Sequence, residues 1–144
     1  MGKGIGGGVP LAALCATEAA SVFDHGDQGG TYCGNPLMTA VGVAVMEALL
    51  APGFLEGVKA QGRMLAARLE SLSSRHGLGA VRGAGLLLAL DLGRAIGGRV
   101  VELARERGLL VNSPRPHLLR FMPALNVTGD EIEAMVAILD DAIA

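Results

Sequence analysis

Between residues 55 and 72 the chain places an apolar or small side chain at every third or fourth position: Leu55, Val58, Gly62, Leu65, Leu69 and Leu72. Glu56, Lys59, Arg63 and Glu70 lie largely off that stripe. A period near 3.6 with charge on the other side predicts an amphipathic helix, and its stripe has to be covered. A cover follows downstream, where "GAGLLLALDLG" (83–93) runs almost continuously apolar between glycines. That length and those flanks predict a buried strand. A helix is predicted over 96–107, with Arg105 and Arg107 in its last turn and Gly108 after it. "LLVNS" (109–113) and "HLLRFMP" (117–123) predict two short strands joined through Pro114 and Pro116. The last helix opens on the capping box Thr128-x-x-Glu131 and carries Ile132, Met135, Val136, Leu139 and Ile143 on one face. Residues 51–144 therefore predict helices layered on a small sheet.

The first fifty residues are different. A glycine turn leads into "VPLAALC" (9–15), which predicts a short strand, and "DHGDQGGTYCGN" (24–35) predicts a loop. Asn35 can cap a helix that starts at Pro36 and runs to about Leu50, where "APG" stops it. One strand and one helix bury little on their own. This half is expected to lean on something else.

Composition narrows the function. The chain is 51% hydrophobic but 3% aromatic, with no tryptophan and a net charge of −2. No basic stripe interleaved with aromatics is present, so no nucleic-acid partner is expected. "LMTAVGVAVMEALLA" (37–51) carries Glu47 and is shorter than the ~18–20 residues of a membrane span. A membrane partner is not expected either. Two cysteines, Cys15 and Cys33, make no disulfide framework, and a cytoplasmic setting is expected. His25, His76 and His117 are too scattered for a metal site. Cys33 has no paired base in view that would make it a nucleophile. Twenty-two glycines are about twice the usual share of ~7%, which points to tight turns and close backbone approach.

Five of those glycines surround Lys3 in "GKGIGGG". Gly2-x-Gly4-x-x-Gly7 matches a dinucleotide fingerprint in form but has no strand before it. A phosphate-binding P-loop would need Ser or Thr after the lysine, where Gly4 stands. A flexible solvated N-terminus is the plainest alternative. A lysine whose neutral amine condenses with an aldehyde cofactor is the remaining reading, and burial would favour that neutral form. The loop "GDQGGTYCGNPL" adds a hydroxyl, Thr31, among glycines just ahead of a helix, the makings of a phosphate cradle. An amine and a phosphate cradle together suit pyridoxal phosphate.

"KGIGGGVPLAAL", "GGTYCGNPL", "RGAGLLLALDL" and "LLRFMPALNVTGDEI" occur in the order in which the class-III pyridoxal-phosphate aminotransferases carry similar motifs, and the chain resembles that family throughout. The resemblance implies an α/β fold, the C-terminal part of a fold-type-I transferase. Residues 1–50 would be the end of the large cofactor-binding domain with its linking helix, and residues 51–144 the small C-terminal α+β domain. Lys3 would hold pyridoxal 5'-phosphate covalently and act as the catalytic base. Thr31 would reach the cofactor phosphate of the neighbouring subunit in a homodimer. Gly30 stands where many relatives have a serine near the substrate. Arg120 would hold a substrate carboxylate, although from bare sequence it is equally an ordinary strand residue.

The implied reaction moves the δ-amino group of N-acetylornithine to 2-oxoglutarate, in arginine biosynthesis. Ornithine, succinylornithine and 4-aminobutyrate are the alternative donors. The resemblance covers roughly the last third of longer relatives. Their glycine loop for the phosphate, ring-stacking aromatic, pyridine-pairing aspartate and second substrate arginine have no counterpart here. The expectation is therefore a fragment that is inactive alone, and a non-catalytic folded module stays open beside it.

Overall fold

A computed structural model describes residues 1–144. Four helices and four strands follow one another as α1 (Pro36–Leu50), α2 (Phe54–His76), β1 (Val81–Ala84), β2 (Leu87–Asp91), α3 (Gly97–Glu106), β3 (Asn112–Arg115), β4 (Leu118–Phe121) and α4 (Gly129–Ile143). The chain divides into two compact units, Met1–Phe54 and Leu55–Ala144.

In the second unit the strands form one antiparallel sheet in the order β1-β2-β4-β3. Leu88 pairs with Phe121 and Leu90 with Leu119, and all four are buried. Period-two alternation puts these side chains on one face. Onto that face pack Leu65, Leu69 and Leu72 of α2, Val100 of α3, and Ile132, Leu139, Ala142 and Ile143 of α4. The stripe predicted for 55–72 is thus the contribution of α2 to the core, with Leu55 at its exposed start. On the last helix Ile132, Val136, Leu139 and Ile143 are buried as predicted, while Met135 is half-buried. The Thr128–Glu131 capping box is formed in both directions.

Three strand predictions need correction. The run 83–93 is not one strand: the chain reverses at Gly85-Leu86, so Ala84 pairs with Leu87 and a hairpin forms. Gly85 makes this possible by taking φ +57, a left-handed conformation that costs glycine nothing. The strand predicted over 109–113 lies later, at Asn112–Arg115, and contains Pro114. As an edge strand it tolerates the missing N–H, and its register slips between Asn112 and Arg115. Residues 9–15 form no strand. Apart from the turn bond of the Val9 N–H to the Gly6 carbonyl, the segment's backbone bonds go to Met1 alone, at Ala13, and a strand exists only beside a neighbour that completes its ladder.

The first unit is built on α1. Asn35 caps it, accepting from the N–H groups of Leu37 (3.0 Å) and Met38 (3.4 Å), and Pro36 stands in its first turn. Much of the apolar surface here is uncovered, including Leu14, Val22, Phe23, Tyr32, Leu37, Val43 and Leu50. No single helix of the chain is long and apolar enough to cross a membrane.

Candidate active site

The glycine-flanked lysine sits in a single 3-10 turn, Lys3–Gly6. Lys3 has φ +52 and is the sole non-glycine residue of the chain at positive φ. That conformation costs an L-residue about 1–2 kcal/mol, and such strain gathers at functional positions. The glycines divide by cause. Gly6 is buried, and a Cβ there would meet the Leu11 backbone at 3.5 Å. Gly7 combines φ +55 with a Val45 methyl 3.1 Å from where its Cβ would stand. Both dock the turn against the rest of the first unit, which fixes the backbone next to Lys3. Gly2 and Gly4 would accept a Cβ with nothing within 4 Å.

Lys3 is exposed and forms no ion pair. The burial expected of it is not supplied by residues 1–144. A lone lysine on an open glycine turn has few apolar atoms within reach to displace water.

Thr31 lies in the turn that precedes α1. Cys33 donates its N–H to the Gly30 carbonyl at 2.9 Å, and Asn35 donates to Tyr32 at 3.3 Å. The Thr31 hydroxyl and the backbone N–H groups of Gly29, Gly30, Thr31 and Tyr32 have no protein partner. The first free donors of α1 itself are spent on Asn35. Any anion here would be met by Thr31 and the glycine backbone rather than by the helix end. One hydroxyl and several free N–H groups are a donor set that suits phosphate, and an unpaired primary amine suits an aldehyde. The residues present fit pyridoxal phosphate as anchor and as part of a phosphate grip.

Arg120 belongs to the second unit. On β4 it is flanked in register by Ala89 on β2 and Asn112 on β3. Because its neighbours Leu119 and Phe121 face the core, Arg120 lies on the opposite face of the sheet. It is exposed and pairs with no carboxylate. It lines an open cleft of about 670 Å³ with Leu110, Val111, Met122 and Pro123, and Glu131 is the one acid on the same wall. Glu131 is engaged elsewhere: its Oε2 accepts from the Thr128 N–H at 2.8 Å and from the Thr128 hydroxyl at 2.9 Å. Those two bonds, the backbone one first, hold its carboxyl below the ordinary range. Arg120 is left as an uncompensated cation beside an apolar wall.

Residues 1–143 match the family model for class-III aminotransferases. The chain belongs to the class-III aminotransferase family. Among curated members it is 62% identical over 142 residues to the acetylornithine aminotransferase of Ralstonia nicotianae, covering 96% of this chain and 36% of that one. Among solved structures, the N-acetylornithine aminotransferase of Stenotrophomonas maltophilia superposes with a TM-score of 0.71 at 31% identity, over 76% of this chain and 31% of that one. The ornithine δ-aminotransferase of Plasmodium falciparum superposes with a TM-score of 0.87 at 26% identity, over 99% of this chain and 38% of that one. This class-III chain therefore spans about a third of the length of the relatives it matches.

Sequence reasoning assigned no role to Cys33. Its thiol sits against position 30 across the turn, a spacing that carries no periodic or motif signal of its own.

Proposed function

We propose that this chain contributes the cofactor lysine and two ligand contacts to a pyridoxal-phosphate-dependent transfer of the δ-amino group of N-acetylornithine to 2-oxoglutarate. The observation that carries the reading is Lys3: an unpaired amine on a backbone held at φ +52 within a docked glycine turn. The acetylornithine aminotransferases among its relatives support the choice of donor. Ornithine is the second donor, supported by the ornithine δ-aminotransferase that superposes over 99% of the chain. The setting we propose is cytoplasmic, in arginine biosynthesis, with the site completed in a homodimer and by residues equivalent to the part of the relatives that this chain does not span. Residues 1–50 then serve as the end of a large cofactor-binding domain and residues 51–144 as the small domain.

Pyridoxal phosphate, when bound, supplies the electron sink that lowers the barrier to proton loss beside the nitrogen. Lys3 Nζ would anchor it and, once freed, would take the proton from the donor Cδ and pass it on across the 1,3-shift, a general base working within hydrogen-bond reach. The Thr31 hydroxyl and the N–H groups of the 29–32 backbone would hold the phosphate dianion of the cofactor anchored in the neighbouring subunit. The Arg120 guanidinium meets a substrate carboxylate with two parallel N–H donors, which fixes the donor's orientation as well as its charge.

Borohydride reduction of the full-length holoenzyme followed by peptide mass spectrometry tests this. The pyridoxyl group is expected on Lys3 and lost in Lys3→Ala, together with about 10³-fold or more of kcat. A pyridoxyl group on any other residue ends the proposal. The isolated 144-residue chain is expected to form no stable adduct.

A further inference from the structure

Gly30 raises a question that the backbone does not answer. A residue is confined to glycine either by a left-handed φ or by lack of room for a Cβ. Gly26 and Gly34 of the same loop have φ of +100 and +69, whereas Gly30 does not lie in that region. Room is limited there by one atom, the end of an exposed side chain that can turn. A Cβ at position 30 would lie 2.9 Å from the Cys33 sulfur and meets no other atom within 4 Å. The turn itself brings the two together, since the Cys33 N–H donates to the Gly30 carbonyl at 2.9 Å. Residues 30 and 33 are the first and last of a β-turn, side by side across its mouth.

We propose that the Cys33 thiol occupies the space beside position 30, so that the Gly30–Cys33 pair, rather than residue 30 alone, determines the room this loop leaves for the amino donor. This rests on the transaminase reading, in which residue 30 borders the donor. Cys33 is here a positioning residue. Its thiol fills the volume that a side chain at 30 would use. Any side chain installed at 30 must turn the thiol about its single χ1 bond, and a smaller residue at 33 releases the constraint. Position 29 is the internal control: Gly29 has neither a left-handed φ nor any atom within 4 Å of its Cβ position.

The geometry is tested on the full-length holoenzyme with labelled cysteine, the Cys33 signals being assigned by their loss in Cys33→Ser. The Hα–Hβ couplings of Cys33 are expected to report a changed rotamer in Gly30→Ala and an unchanged one in Gly29→Ala. Couplings unaltered by Gly30→Ala, or altered as much by Gly29→Ala, overturn the proposal. The consequence for the donor is tested in the full-length holoenzyme with Gly30→Ser, Cys33→Gly and the double variant. Gly30→Ser is expected to raise the donor KM, and Cys33→Gly to restore it in the double variant, a coupling of at least about threefold. Additive effects on KM overturn the assignment to the donor. A wild-type holoenzyme without turnover or a Lys3 adduct counts against the transaminase reading and leaves the rotamer result standing by itself.

Discussion

His76 Nε2 lies 2.6 Å from Asp140 Oδ1, tying the last turn of α2 to the last turn of α4. Arg75 reaches the other oxygen of the same carboxylate. The His76 hydrogen bond is the larger cause, with the Arg75 charge helping, of an Asp140 carboxyl held below its ordinary 3.8. A carboxyl whose folded-state value is depressed stabilises the fold fully above its unfolded value, and that contribution fades as pH falls through the folded one. The thermal midpoint of the chain is expected to drop as pH falls below 3.8, and Asp140→Asn is expected to flatten this part of the curve. Parallel curves for the two proteins between pH 4 and about pH 2 would contradict the assignment.

The two glycines of the α2 stripe region predict opposite signs. A Cβ at Gly62 would lie 2.8 Å from the Gly85 carbonyl carbon, backbone that holds the β1–β2 turn, whereas one at Gly57 meets nothing within 4 Å. Gly57→Ala is expected to stabilise the chain by about 0.5–1 kcal/mol through helix propensity. Gly62→Ala is expected to cost about 1–3 kcal/mol, as overpacking does. Urea denaturation of the two variants checks both, with unequal midpoints on either side of the wild type.

Thr128 starts α4 by accepting the Glu131 N–H at 3.3 Å while its own N–H is taken by the Glu131 carboxylate. Thr128→Ala removes the side-chain half of this box and is expected to cost about 1 kcal/mol. Thr128→Ser keeps the hydroxyl and is expected to lose much less. Equal losses in the denaturation midpoint of the two variants would show that the threonine methyl, not the cap, matters.

Arg120 lies on the sheet face away from the core, so its removal should leave the fold intact. In the full-length enzyme Arg120→Ala is expected to raise substrate KM by about 10–100-fold, the worth of a charge-assisted hydrogen-bonded pair. Arg120→Lys is expected to recover only part of this, because a point charge does not reproduce the paired donors of guanidinium. Circular dichroism alongside the kinetics separates a binding loss from a folding one.

Helices α1, α2 and α4 were legible in the sequence because their signals are local. Asn35-Pro36 and Thr128-x-x-Glu131 mark starts through bonds to residues two or three along, and the Leu65–Leu69–Leu72 spacing declares a face before its partner is known. Lys3 and Thr31 stood out in the sequence because an amine and a hydroxyl among glycines suggest a chemistry before any fold is known. Of the strands, 117–123 was legible and holds β4 at Leu118–Phe121, but the others were not, since a strand is defined by its neighbour. The segment 9–15 has strand-like residues and no ladder to join, and the run 83–93 folded back at Gly85 because β2 needed a partner on each side. Tertiary structure also decided which side of β4 Arg120 occupies, by sending Leu119 and Phe121 into the core. It alone set the Cys33 sulfur against Gly30, a contact made across a turn whose reversal depends on backbone dihedrals rather than on any pattern of residues.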